Sequence, residues 1–403
     1  MERRVARLEF AEGAHVRLRV PVPADDGEAG QATLTDIDVL SIDIDSRLRI
    51  SRSSMECKIG KSQGEPSTIL WLAGFRQLLE LDRVALVRQT VSPRGQALAR
   101  KLNIVAMDEA AVGQREKAHA WLPQRFAHLD GPACAAAEAR TDTQLKGLPE
   151  IPAGLARFLR GDALLADSPE LLRAVQAMGA AVERQGVLPE PAAQVLASHS
   201  LIAVLLAALQ DAGRLDHVPE RVLRRRLISA LTVGDPDDNF VLPVLERADA
   251  YFRHIQERTH KAYVDAGADP VRINYSSLRD AVATPPPFAS DYIDLVERLR
   301  ANPQVSRNLL QTAELACFDA LLGDSAWKER AFAHLFTTEH KGLLLVALRC
   351  LESITGPQAV APLQRLQRIP FEGSAGMVPD RGEPPRQQAT LFGLSGYPDG
   401  VES

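Results

Sequence analysis

The chain is predicted to fold as an α/β domain at its N-terminus, followed by an all-α domain and a polar tail. Three observations point there. Residues 1–125 mix period-two strand patterns with helical ones. Beyond about residue 125 the strand patterns stop, alanine and leucine dominate, and prolines recur (Pro152, Pro169, Pro189, Pro219, Pro243, Pro270, Pro303) between stretches of helical period. From Phe371 onward the composition turns to Gly, Pro and Gln, with Gly373-Ser374-Ala375-Gly376 and Pro384-Pro385, which argues for a disordered extension. At 403 residues and about 150 residues per domain, two or three domains are expected. The boundaries fall at 1–125, a linker at 126–150, helices over 151–370, and the tail from 371.

The elements follow in order. A short helix over residues 3–11 stops at Gly13, and residues 15–22 are extended. Residues 35–45 and 48–59 read as two strands of a hairpin turning at Asp45-Ser46-Arg47. An apolar-striped helix occupies about residues 67–81, then come a strand over 83–88, a helix over 93–102 and a strand over 103–107. In the second half, helical period marks residues 169–184, 191–212, 219–231, 244–264, 289–301 and 306–322, spaced as antiparallel helices with short loops. Ser168-Pro169 reads as a cap followed by a first-turn proline, and Asp324-Ser325-Ala326 as another helix start.

The chemistry concentrates in the hairpin. Residues two apart on a strand share a face, so Asp36 and Asp38 point one way and Glu56 and Lys58 do so on the neighbouring strand. Pairing of the strands brings Asp38 near Glu56 and Lys58. Two carboxylates beside a lysine suit Mg²⁺, which takes one or two carboxylates, several waters and a substrate phosphate. The plainer reading is a half-exposed hairpin whose Glu56 and Lys58 pair with neighbours, a contribution of roughly 0.2–1 kcal/mol.

Asp38 followed by Glu56-Cys57-Lys58 resembles the D…(D/E)xK signature of the PD-(D/E)xK, or restriction-endonuclease-like, nuclease superfamily. Val84-Ala85-Leu86-Val87 and the stretch from Ala97 to Asp108 are similar to the closing βαβ of its Mrr-like and Holliday-junction-resolvase-like branches. The resemblance covers roughly residues 1–120. It implies a central mixed sheet flanked by helices and a Mg²⁺- or Mn²⁺-dependent DNA endonuclease. Asp38, Glu56 and the main-chain carbonyl of Cys57 would hold the metal, and Lys58 would orient or help deprotonate the attacking water. Asp36, one pleat earlier, is the second candidate for the metal position; Glu9 on the opening helix and Gln77 on the helix after Lys58 are further candidates. No RecB-like glutamine and tyrosine helix motif follows Lys58, which favours internal cutting over end-trimming. Relatives that cut both strands as dimers make a homodimer an expectation, and antiviral defence or DNA repair the setting.

Net charge of −5 supplies no bulk attraction for nucleic acid. Contacts to DNA would come from local groups, and Arg47, Arg49, Arg52 and Lys61 are placed by the hairpin reading beside the site; the same arginines suit a solvated strand edge. In the tail, Gln388-Ala389-Thr390-Leu391-Phe392 resembles peptides by which bacterial DNA enzymes dock on a sliding clamp, with Gln388, Leu391 and Phe392 as anchors; the alternative is packing on the protein's own helices. Cys57, Cys134, Cys317 and Cys350 have neither disulfide nor zinc spacing, which points to a reducing compartment. Cys57 falls on the apolar side of its strand and is expected inert. No secretory signal is visible, the longest apolar run, 201–209, is short of a membrane span, and a cytoplasmic location is expected.

Within the helices, Arg224-Arg225-Arg226 fan over about 200° and make no single face. His254 and His260, six apart, do not share a helix face as metal ligands would. Asp235 to Asn239 lacks a calcium loop's glycine and distant glutamate and reads as a turn before a helix. The competing reading for the whole chain is a non-catalytic interaction protein that keeps the N-terminal fold as a docking platform.

Overall fold

A computed structural model of the chain describes residues 1–23, 33–58, 64–234, 237–238, 240–270 and 277–372. The N-terminal part contains α1 (Glu2–Ala11), β1 (His15–Pro23), β2 (Thr33–Ile44), β3 (Ile50–Lys58), α2 (Glu65–Leu78), β4 (Arg83–Arg88), α3 (Pro93–Lys101), β5 (Val105–Asp108) and α4 (Glu109–Lys117). The strands form one five-stranded sheet in the order β1-β2-β3-β4-β5. β2 runs antiparallel to both β1 and β3, whereas β4 and β5 run parallel to β3, so the sheet is mixed.

Local chemistry explains most boundaries. Gly13, at φ +109°, gives the left-handed turn between α1 and β1 that a side chain would resist. In the β2–β3 turn, one oxygen of Asp45 accepts the N–H groups of Arg47 and Arg49 at 2.7 and 2.9 Å. Ser92 caps α3 by accepting the Gly95 N–H at 3.0 Å, with Pro93 next. Asp108 caps α4 through the Ala111 N–H at 2.8 Å.

The helical part comprises α5 (Pro132–Leu145), α6 (Ala153–Arg160), α7 (Ser168–Gln185), α8 (Ala192–Arg214), α9 (Glu220–Val233), α10 (Val241–Asp265), α11 (Leu278–Val282), α12 (Ala289–Ala301), α13 (Pro303–Ser306), α14 (Leu309–Leu315), α15 (Thr338–Thr355) and α16 (Pro357–Val360). Residues 316–320 continue α14 as a π-helical turn. α8 is apolar all round and is therefore central, packed by α5, α6, α7, α12, α14 and α15. It is long and apolar enough to cross a membrane, which the 201–209 run alone did not suggest, yet 94% of its apolar stretch is buried by the other helices.

Several expectations are corrected. Residues 126–150 are not a bare linker, because α5 lies inside them with Cys134, Ala137 and Thr141 buried. The cap of α7 is Asp167, which accepts the Glu170 N–H at 2.9 Å; Ser168 instead donates to Asp211 at 2.8 Å. A short 3₁₀ helix, Ala326–Lys328, does start after Ser325, but without a side-chain cap from 324–326: Asp324 accepts the Ala133 N–H, and Asp319 accepts that of Trp327. The 306–322 segment is broken into α13, α14 and the π turn. As expected, the stretch before α10 is a helix entry, where Asp238 accepts the N–H groups of Phe240, Val241 and Leu242.

The sheet and the helices share one continuous apolar core running from Val5 to Phe371. α1 and α4 cover one sheet face, joined by Arg115 to Glu9 at 2.8 Å and by Glu9 to Ser41 of β2. The other face, which carries Arg17, Asp38, Arg52 and Glu56, is met by the helical part. There Arg17 pairs with Glu314, and Arg52 donates to the carbonyls of Leu164 and Ala166 at 3.0 and 2.8 Å. Gln311 ties α14 to the end of α1 through the Phe10 and Ala14 carbonyls at 2.8 and 3.0 Å.

Candidate active site

The β2–β3 ladder places Val39 opposite Met55, and this is its last pair towards the β3 C-terminus. One residue further, the Asp38 carboxylate accepts the main-chain N–H of Cys57 at 2.7 Å, a side chain bridging the strands where regular pairing ends. Register alternation puts Asp38, Glu56 and Lys58 on one face. Glu56 is 6% exposed and closes on the Lys58 ammonium in a direct ion pair, while the Lys58 side chain keeps 37% of its surface.

Burial raises the Asp38 carboxyl above its ordinary range; the Cys57 N–H acts against that rise, and the neighbouring Glu56 charge adds to it. Burial alone would lower the Lys58 ammonium, but the hydrogen bond and charge of Glu56, with Asp38 behind it, hold it above its usual value. Lys58 is therefore a cation at neutral pH. Cys57 is 7% exposed on the opposite, apolar side, and burial pushes its thiol up to about 12, which fits the expected inert side chain. Asp38 spends one oxygen on the Cys57 N–H and Glu56 one on Lys58, so each keeps a second oxygen. With a main-chain carbonyl these are hard donors of the kind Mg²⁺ takes.

The structure brings together fewer residues than the sequence suggested. Asp36 shares the Asp38 face one pleat on, exposed and opposite Pro21 of β1. Glu9 does not join the trio. It lies against the other sheet face, held by Arg115 and Ser41, with burial as the main influence raising its carboxyl. Gln77 does not join it either: it is exposed in the last turn of α2, whereas the first turn is the end that follows Lys58, and 14 residues of helix span about 20 Å.

The hairpin arginines are also displaced. From Met55 to the turn the strands run roughly 20 Å at about 3.4 Å per residue, and Arg52 lies about 14 Å from Glu56 along β3, so Arg47, Arg49 and Arg52 do not flank the trio. Arg49 pairs with Asp216 at 2.8 Å, Arg52 is spent on the Leu164 and Ala166 carbonyls, and Arg47 is exposed at the turn. Lys61, and Gln388, Leu391 and Phe392 of the tail, lie outside the described residues. The cation that register sets beside Lys58 is Arg88 of β4, followed by Asp108 of β5 in the same row. The only sequence signal for it was the last position of a parallel strand.

A second polar centre escaped sequence reasoning. His128, Glu138 and His199 converge beneath the same sheet face, with Glu314 and Arg17 behind them. Burial lowers the His199 imidazole to about 4 and, with the Arg17 charge, that of His15 to about 3. Burial opposes ionisation of Glu314, but Arg17 and His128 outweigh it and hold the carboxyl well below its usual range. Positions 17, 128, 138, 199 and 314 lie far apart in the sequence, and no spacing motif links them.

No protein-family profile, no curated protein and no solved structure matches this chain.

Proposed function

We propose that the protein is a Mg²⁺- or Mn²⁺-dependent endonuclease acting on DNA, with Asp38, Glu56 and Lys58 at its centre. The observation that carries this reading is the meeting of two carboxylates and an ammonium on one face at the point where β2 and β3 stop pairing. DNA as the substrate rests on the resemblance of Asp38 and Glu56-Cys57-Lys58 to the nuclease signature. Antiviral defence or repair as the setting rests on the same analogy, since fold does not fix function.

Asp38, Glu56 and the Cys57 carbonyl would hold the metal, which when bound supplies charge neutralisation at the scissile phosphate and lowers the pKa of a bound water. Asp38 is positioned for this by the Cys57 N–H, which fixes its carboxylate across the strand gap. Lys58, held as a cation by Glu56, offsets charge that develops on phosphate oxygens. Acting as a base is open to it only after Glu56 is drawn away, because that pair is what keeps its proton.

The non-catalytic reading draws on that same pair: Glu56 is almost wholly buried and already neutralised by Lys58, as in a structural strand contact. The two separate in one experiment. Purified protein is incubated with plasmid and with single-stranded DNA in Mg²⁺ or Mn²⁺, beside Lys58→Ala and Asp38→Ala. Metal-dependent cleavage lost in both variants supports the nuclease. Cleavage surviving both removes the site assignment, and absence of cleavage by the native protein favours the platform.

A further inference from the structure

The His128, Glu138 and His199 cluster takes no part in the proposed cleavage. The Nε2 atoms of the two histidines meet the same Glu138 oxygen at 3.1 and 2.8 Å, and the three ligand-type atoms all lie within 4.8 Å of one another. They come from three places: the turn before α5, α5 itself and α8. Two of the three are also held from behind. His128 Nδ1 is 2.7 Å from a Glu314 oxygen, and the second Glu138 oxygen is held by Arg160 Nε at 2.7 Å. A carboxylate on the far nitrogen of a histidine is the arrangement that orients metal-bound imidazoles.

A second observation points the same way. Among the described residues, His15, 2% exposed, has no hydrogen-bond partner on either ring nitrogen, and it lies close enough to Glu314, His128 and His199 to feel their charges. Glu314 Oε2 and two Arg17 nitrogens are likewise buried without partners. Hydrogen bonds within the chain thus leave this chamber incompletely satisfied, which is unusual for buried polar atoms. Two residues after Glu314 the helix widens into its π turn, whose Phe318 ring packs on both His128 and His199.

We propose that His128, Glu138 and His199 bind a divalent transition-metal ion, with zinc the best match to two imidazoles and one carboxylate. On binding, His128 releases its Nε2 proton to solvent and His199 carries its proton on Nδ1 instead of Nε2, so that coordination bonds replace both hydrogen bonds to Glu138 while His128 keeps its Nδ1 contact to Glu314. Because Glu314 also pairs with Arg17 of β1, the ion would join α5 and α8 to the sheet face that carries Asp38. Glu138 and His128 keep 18% and 16% of their side-chain surface, which gives solvent a route to a fourth position.

The test is metal titration of chelator-treated full-length protein, using Co²⁺ read by visible absorption and Zn²⁺ by calorimetry. It is repeated in an Asp38→Ala/Glu56→Ala background to remove the other carboxylate site. We expect one saturable equivalent that persists in the Asp38→Ala/Glu56→Ala background, is abolished there by His199→Ala and by Glu138→Gln, and is weakened roughly 10–100-fold by Glu314→Gln. Far-UV circular dichroism reports whether each variant is folded. Absence of saturable Co²⁺ and Zn²⁺ binding by the native protein overturns the proposal whatever the variants do. So does binding that folded His199→Ala retains, or that only the Asp38→Ala/Glu56→Ala background loses.

Discussion

The Asp38 carboxylate accepts the main-chain N–H of Cys57 at 2.7 Å, one residue past the final β2–β3 pair. The contact gives Asp38 both a structural and a chemical duty, and two substitutions separate them. Asp38→Asn keeps an acceptor for the Cys57 N–H and should leave stability nearly unchanged while cutting metal-dependent cleavage by about 10²-fold or more. Asp38→Ala should lose as much cleavage and also about 1 kcal/mol of stability, since the N–H loses its partner. Thermal denaturation beside cleavage rates checks both; equal activity in Asp38→Asn and the native protein would deny Asp38 its metal role.

Arg52 and Gly213 should matter for the fold and not for DNA. The Arg52 guanidinium is committed to the Leu164 and Ala166 carbonyls, and an added Cβ at Gly213 would fall 2.2 Å from the Leu48 carbonyl oxygen, where α8 meets the hairpin turn. Arg52→Ala is expected to cost about 1–3 kcal/mol, and Gly213→Ala about as much through the forced separation. DNA affinity and its salt dependence should be unchanged in Arg52→Ala. A reduced salt slope would show that this arginine reaches phosphates after all.

Glu9→Gln and Gln77→Ala should leave the cleavage rate within about twofold of the native value, because neither residue reaches the trio. Steady-state cleavage on one plasmid substrate suffices to measure this. A loss comparable with that of Lys58→Ala in either variant would require a different arrangement of the site.

Much of the sheet was legible because strand period is local. β4 lies over the expected residues, and Asp38, Glu56 and Lys58 share the face that alternation assigned them. What failed depended on three-dimensional context. Glu9 and Gln77 required knowing which sheet face α1 covers and which end of α2 follows Lys58. The hairpin arginines look free in a sequence, yet the loop after α8 absorbs Arg49 and the stretch between α6 and α7 absorbs Arg52. α4 and α5 were missed because they bury little: Val112 in one, and Cys134, Ala137 and Thr141 in the other, too few to make an apolar stripe. The cluster of His128, Glu138 and His199 joins a loop to two helices, and only their packing brings it together.

Asp319 supplies a pH signature. Its buried carboxyl is raised to about 6, chiefly by burial, against the pull of the Trp327 and Ala127 N–H groups. The native state therefore favours the protonated form. Its stabilising effect is present in full below the unfolded value of 3.8 and is lost as pH rises towards about 6. Asp319→Asn, neutral throughout, should be more stable than the native protein at pH 7 by up to about 2 kcal/mol and should flatten that part of the stability profile. Urea denaturation between about pH 4 and pH 7, roughly the titration window of a buried carboxyl, checks this; an unchanged profile would place the ionised form comfortably in the fold.

The most direct measurement of the central claim is the rate at which supercoiled plasmid is cut by the native protein and by Glu56→Gln, with and without Mg²⁺. Matched thermal denaturation curves establish that both are folded. The prediction is cutting by the native protein only when Mg²⁺ is present, reduced by about 10²-fold or more in Glu56→Gln. Equal cutting by both proteins, or cutting that persists after Mg²⁺ is chelated, would contradict it.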